Sequence, residues 1–165
     1  MKIFLQLQEQ GANNINLVTP THFLPQIVIA LQQAKNQGLS IPIVYNTGSY
    51  ESPDALRHLE GLVDIYLPDL KYFSPELSAA YSHAPDYFEI ACAAIAEMYR
   101  QVLDPVMDPD TGLMQRGMIV RHLLLPGQAK DSKKILRYLH ETYGDHIYIS
   151  IMNQYTPLPQ VADIE

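Results

Sequence analysis

The chain has 165 residues, 47% hydrophobic and 18% charged, enough for one domain around one core and unlike a disordered composition. Its formal charge of -7, with carboxylates spread along the sequence, argues against a large nucleic-acid footprint but leaves room for a small anionic ligand. No apolar run is long enough for a bilayer and the N-terminus lacks a signal peptide's apolar core, so a cytoplasmic protein with no membrane contact is expected.

Ile3, Phe4 and Leu7 follow helical spacing up to Gly11, with no capping residue ahead of them. This stretch reads as the rear of an element whose beginning is missing, or as a short opening helix. Ile15–Val18 is a strand candidate, closed by Thr19-Pro20-Thr21-His22, because proline cannot donate within a ladder. Phe23 to Gln37 has helical length and spacing, ended by Gly38.

Leu39–Tyr45 is β-rich and leads to the polar turn Asn46-Thr47-Gly48-Ser49-Tyr50. Ser52-Pro53 opens a helix that stops near Gly61. Leu62–Leu67 is the third expected strand, with Pro68-Asp69-Leu70-Lys71-Tyr72 at its end. A weak helix after Ser74-Pro75 and a strong one over Asp86–Val102 follow. Residues 104–116, rich in Asp, Pro and Gly, read as a flexible exposed loop within a single 1–165 domain. Met118–Leu125 is the fourth strand, Asp131 caps a helix to Tyr143, and His146–Met152 is the fifth strand.

Alternating strands and helices imply a mainly parallel sheet. Five strands fit an incomplete parallel (β/α) barrel, with a doubly wound open sheet as the alternative. Either way the polar segments after the strands share one edge, where such folds bind ligands. Asp69 and Lys71, two apart, point the same way on extended backbone. They could grip a zwitterionic amino-acid group or help hold a monovalent cation; an internal ion pair is the plain alternative. Arg121 alternates with Ile119 and Leu123, so it is an interior donor to a carboxylate or ligand, or a structural ion pair. His122 faces the other way as a packing residue. Asn46 and Thr47 offer short oxygen groups, or form an ordinary polar turn. Tyr45, Tyr50, Tyr66, Tyr72 and Tyr155 lie near this edge, as stacking surfaces or as wall residues.

The six histidines form no metal motif, no glycine-rich phosphate loop follows a strand, and Cys92 inside the strong helix is a buried small residue rather than a nucleophile. As the only cysteine, Cys92 also excludes an intrachain disulfide and any site of several thiolates.

Five segments in order resemble the radical S-adenosylmethionine superfamily, close to pyruvate formate-lyase activating enzyme-like proteins. They are Asn16–His22, Ile41–Thr47, Asp64–Tyr72, Arg116–Gly127 and Ser150–Tyr155. The resemblance implies a partial barrel whose first strand leads into a Cys-x-x-x-Cys-x-x-Cys loop holding a [4Fe-4S] cluster, with S-adenosylmethionine bound to it. It implies cofactor-facing roles for Asn46-Thr47, where the family has Asp-Thr, and for Asp69-Leu70-Lys71, its Asp-Leu-Lys signature. Thr21 and His22 stand where many relatives carry Gly-Gly-Glu, and Asn153 and Tyr155 fall where the last strand approaches adenosine. Arg121 belongs to the same expected rim.

The cysteine loop is absent from these 165 residues. The expectation is therefore a fragment or truncated homologue of a radical S-adenosylmethionine enzyme, such as a glycyl-radical enzyme activase, without cluster-dependent activity of its own. A noncatalytic binding or interaction module that keeps the fold is the alternative. A full-length form would meet a protein substrate or an electron donor. A sheet edge left open at Ile15–Val18 would favour a homo-oligomer or a covering N-terminal helix.

Overall fold

The computed structural model describes residues 1–154. Its elements run α1 (Lys2–Glu9), β1 (Ile15–Val18), α2 (Leu24–Asn36), β2 (Ile43–Thr47), α3 (Pro53–Arg57), β3 (Ile65–Pro68), α4 (Pro75–Ser82), α5 (Tyr87–Val102), β4 (Val106–Met107), β5 (Met114–Leu123), α6 (Ala129–Tyr143) and β6 (Tyr148–Met152). The parallel strands lie in the order β1-β2-β3-β5, with β6 on the far side of β5. Spatial order thus follows chain order. A doubly wound sheet reverses direction at a switch point, whereas a barrel winds onward. The sheet is an open segment of a (β/α) barrel.

Strand alternation separates two faces. Tyr45 pairs in register with Tyr66, and Tyr66 with Met118. All three are fully buried on the helix side, where the two tyrosine rings meet edge to face at 5.8 Å. Burying side chains of this size contributes about 1.5–3 kcal/mol each. Asn46, Leu67, Ile119 and Arg121, on the opposite parity, line the concave side and stay half-buried.

Two strands start later than their hydrophobicity suggests. Ser40 and Ile41 donate their N–H groups to the Gln8 side chain at 2.7 and 3.2 Å, which docks α1 on the approach to β2 and delays pairing to Ile43. Asp64 spends its carboxylate on the Ile43 N–H at 2.8 Å, so β3 begins at Ile65 rather than Leu62. The outer edge of β1 pairs with no strand among the described residues, and Val18 there is 66% exposed.

The segment 104–116, expected as a loop, instead carries β4 and the start of β5 in an antiparallel hairpin. Asp108 organises its turn by accepting from the N–H groups of Asp110 (3.0 Å) and Thr111 (2.7 Å) and from the Thr111 hydroxyl. Gly117 makes the crossing feasible. Its φ is +136°, and a Cβ there would lie 3.0 Å from Pro105 Cα.

Buried Glu97 fastens α5 to its surroundings. It accepts from Arg100 at 3.0 and 2.9 Å and from Gln101 at 2.8 Å; Gln101 in turn accepts from Tyr66 and donates to the Leu56 carbonyl. The Arg100 guanidinium holds the Glu97 carboxyl down at about 2, from an ordinary 4.5.

Two outcomes follow for stability. Gly117→Ala is expected to lower unfolding stability in urea by about 1–3 kcal/mol, through left-handed strain and the clash with Pro105, while Arg116→Ala stays within about 0.5 kcal/mol. Because the folded-state value of Glu97 is depressed, its contribution is complete above pH 4.5 and is lost as pH falls towards about 2. Glu97→Gln should flatten that part of an acid-unfolding profile, and an unchanged slope would contradict the assignment.

Candidate functional site

The parallel strands end together, laced by backbone hydrogen bonds. Thr19 N–H donates to the Asn46 carbonyl (2.9 Å), Asp69 N–H to Thr47 (2.9 Å), Leu70 N–H to Arg121 (2.9 Å) and Leu124 N–H to Met152 (2.8 Å). Segments separated by a hundred residues therefore form one rim. Behind it, on the concave face, is a cavity of about 320 Å³ lined by Asp69, Lys71, Tyr72, Arg121, Leu123, Leu125 and Met152.

Arg121 organises this cavity. Its Nε donates to Asp69 Oδ1 at 2.8 Å and its Nη2 lies 2.7 Å from the same oxygen. Nη2 also donates to Asn46 Oδ1 at 2.7 Å. One guanidinium thus spans the ends of β2, β3 and β5, using the donor fork that a lysine lacks. Arg121 forms the structural ion pair, one of its two expected roles, and it also lines the cavity. Asp69 is neutralised through Oδ1, and its Oδ2 accepts no hydrogen bond among the described residues. Lys71, exposed at the mouth, makes no ion pair among the described residues. The polar set carries one net positive charge.

Tyr87 of α5 holds the rim from behind. Its hydroxyl accepts from the Lys71 N–H at 3.1 Å, and its proton serves the carbonyls of Asp69 (2.9 Å) and Gly48 (3.0 Å). Burial raises its pKa well above the ordinary tyrosine value, which keeps that proton in place. The ring stacks on Tyr50 and meets Tyr72 edge to face, so three tyrosines form a wall under the two loops.

The sequence-selected residues divide into groups. Asp69, Lys71 and Arg121 line the cavity, and Asn46 joins them through its bond to Arg121. Thr47 points to the opposite face, where its hydroxyl and that of Tyr45 donate to the buried carboxylate of Glu51. Thr21 joins that cluster beside the Tyr45 hydroxyl. His22 and Asn153 are exposed and do not line the cavity, and Tyr155 lies outside the described residues. Of the tyrosines, Tyr72 lines the cavity, while Tyr45 and Tyr66 pack under the helices. His122 faces away from the cavity and donates from Nδ1 to the Leu70 carbonyl at 2.8 Å. Cys92 sits half-buried on α5 with its thiol pKa pushed up by burial, which suits a packing residue.

Leu123 and Leu125 continue the alternation of Arg121, a legible signal for the cavity's apolar wall. Tyr87 and Glu51 carry no such signal, because their partners depend on helix docking.

No family model matches the chain. An uncharacterized protein of Methanocaldococcus jannaschii is 26% identical over 149 residues, covering 88% of this chain and 38% of the relative. The chain thus spans well under half of that relative's length. Among solved structures, a domain of a pyruvate-formate lyase-activating enzyme from Bacteroides vulgatus superposes with a TM-score of 0.61 at 16% identity. The match covers 91% of this chain and 87% of that one.

Tyr87→Phe is expected to cost about 1–2 kcal/mol and to speed amide exchange at Lys71, whose N–H loses its acceptor. Tyr66→Phe removes a comparably buried hydroxyl, bonded to Gln101, and should leave Lys71 exchange unchanged. Equal exchange in both variants would refute the hold of Tyr87 on the rim. At 16% identity the likeness establishes architecture: the chain has the fold of that activating-enzyme domain.

Proposed function

We propose that the strand-end cavity binds the amino-acid end of a zwitterionic small molecule, with S-adenosylmethionine the specific candidate. In this reading the chain is a portion or a homologue of a radical S-adenosylmethionine enzyme, such as a glycyl-radical enzyme activase. The observation that carries it is the charge arrangement at the rim. Arg121 satisfies Asp69 Oδ1, which leaves the Lys71 ammonium for a ligand carboxylate and Asp69 Oδ2 for a ligand ammonium. Leu123, Leu125 and Met152 give an apolar wall for the methylenes of the methionyl chain, up to its charged sulfonium. About 320 Å³ is at the small end of ligand sites and suits part of such a molecule.

The iron–sulfur cluster is a different case. The only cysteine, Cys92, lies on α5 rather than at the rim, and no group of three His, Cys, Asp or Glu side chains among the described residues is arranged for a metal. These residues do not fit the cluster. S-adenosylmethionine supplies radical chemistry only where a cluster reduces it, so the 165 residues alone act as a binding unit. The same single cysteine favours the second reading, a noncatalytic module that keeps the fold and the cavity.

Within the cavity each side chain has a static task. Lys71 supplies a point charge at the mouth, Arg121 fixes Asp69 in orientation, and Tyr87 sets the spacing of the two loops. Asn46, where the activating-enzyme pattern has a carboxylate, accepts from Arg121 without adding charge. That lowers the site's capacity for an additional cation.

Titration calorimetry with S-adenosylmethionine should show saturable binding to the wild-type chain. Lys71→Ala should weaken it by about 10–100-fold, the effect of one charge-assisted hydrogen bond. Arg57→Ala, on the exposed side of α3, should not. Failure of the wild type to bind at millimolar ligand, or equal affinity in Lys71→Ala, would overturn the reading.

A further inference from the structure

The exposed face of α6 carries Lys130, Lys133, Lys134 and Arg137, four of the eleven Lys and Arg residues in a chain of formal charge -7. Their spacing of three, four and seven residues places them on one stripe about 10 Å long. All four are exposed, and none makes an ion pair among the described residues. The opposite face, Asp131, Ser132, Ile135, Leu139 and Tyr143, is buried against the domain.

This placement runs against local preference. Lys130, Lys133 and Lys134 occupy the first turns of the helix, where the macrodipole is positive and cations are disfavoured. Like charges at spacings of three and four repel as well. Asp131, the one acid in the first turn, is turned inward to accept from the N–H groups of Phe73 and Ser74 at 2.8 and 2.9 Å. Glu76 and Glu141 are the carboxylates that face the stripe, and neither forms an ion pair with it. A local choice that opposes its own helix is a mark of a site.

The stripe borders a second cavity, of about 300 Å³, lined by Phe73, Lys134, Arg137, Tyr138 and Glu141. Lys134 Nζ lies 5.1 Å from the centre of the Phe73 ring. Phe73 is two residues beyond Lys71, so the same loop borders both cavities.

We propose that α6 and the Phe73 cavity form a docking surface for an acidic protein segment, with carboxylates spaced three or four residues apart and one apolar side chain. The stripe pairs Lys130 with Lys134 and Lys133 with Arg137 at helical spacing, which matches such carboxylates on a partner helix. Nucleic acid fits less well. Phe73 already holds Lys134 at 5.1 Å from its ring centre and packs on Phe88 at 4.5 Å, so a base would have to displace Lys134 to stack there. A membrane fits less well too, since no large apolar side chain is exposed on α6. The inference is independent of what the rim cavity binds.

Fluorescence anisotropy with a labelled Glu-rich helical peptide, containing carboxylates at that spacing and one leucine, tests it. The comparison probes are a single-stranded DNA of equal charge and phosphatidylserine-containing vesicles. The wild-type chain should bind the peptide in preference to both, with affinity falling as salt rises. The quadruple change Lys130→Glu, Lys133→Glu, Lys134→Glu and Arg137→Glu should weaken binding at least 10-fold. Lys130→Gln with Lys133→Gln, which relieves the helix N-terminus and keeps Lys134 on Phe73, should melt no lower than wild type and still weaken binding at least 3-fold. Reversing two exposed cations elsewhere, Lys2→Glu with Arg116→Glu, should leave affinity within 2-fold. Absent peptide binding, equal binding by the quadruple variant, or preference for DNA or vesicles would overturn the proposal.

Discussion

One guanidinium joins three strands. Arg121, near the end of β5, reaches Asp69 beyond β3 and Asn46 in β2, and the cavity at the strand ends exists because those three contacts fix its far wall. The pair is only partly shielded, with Asp69 22% and Arg121 24% exposed, so its role is to set position more than to add stability. Its consequence is electrostatic. With Asp69 compensated, the charge that remains at the mouth is that of Lys71, so the polar set of the rim is net positive.

The two faces of the sheet divide the polar chemistry between them. On the concave face lie Asn46, Asp69 and Arg121. On the helix side, Thr47 and Tyr45 close on Glu51, and Tyr66 joins the Gln101–Glu97–Arg100 network. Neighbours in sequence, such as Asn46 and Thr47, therefore serve different ends: one shapes the cavity and the other holds the helical layer. Tyr87 connects the two, because it is anchored in the helical layer and bonds the rim loops through their backbone.

Much of this could be read from period and punctuation. Apolar runs separated by helical spacing pointed to a parallel sheet with a shared strand-end edge but left strand order open between a partial barrel and a doubly wound sheet, and the i, i+2 relation of Asp69 to Lys71 and of Arg121 to Leu123 put those side chains on one face. Long-range choices stayed out of reach. Nothing near Leu39 announces that Gln8 will take the N–H groups ahead of β2, and nothing near Asp64 announces a bond to Ile43. Residues 104–116 have loop composition, yet become a hairpin because Gly117 permits close passage of Pro105. Tyr87 looks like any buried aromatic until α5 docks. The family resemblance located the rim but could not divide Asn46 from Thr47 by face.

The proposed ligand site is the concave rim of the sheet. Amide chemical shifts of the labelled chain, followed while S-adenosylmethionine is added, test this most directly. The account predicts saturable shifts confined to Asn46–Ser49, Asp69–Tyr72, Arg121–Leu125 and Met152, with the helix-side residues near Glu51 and Glu97 unmoved. Shifts centred elsewhere, or none at saturating ligand, would contradict it.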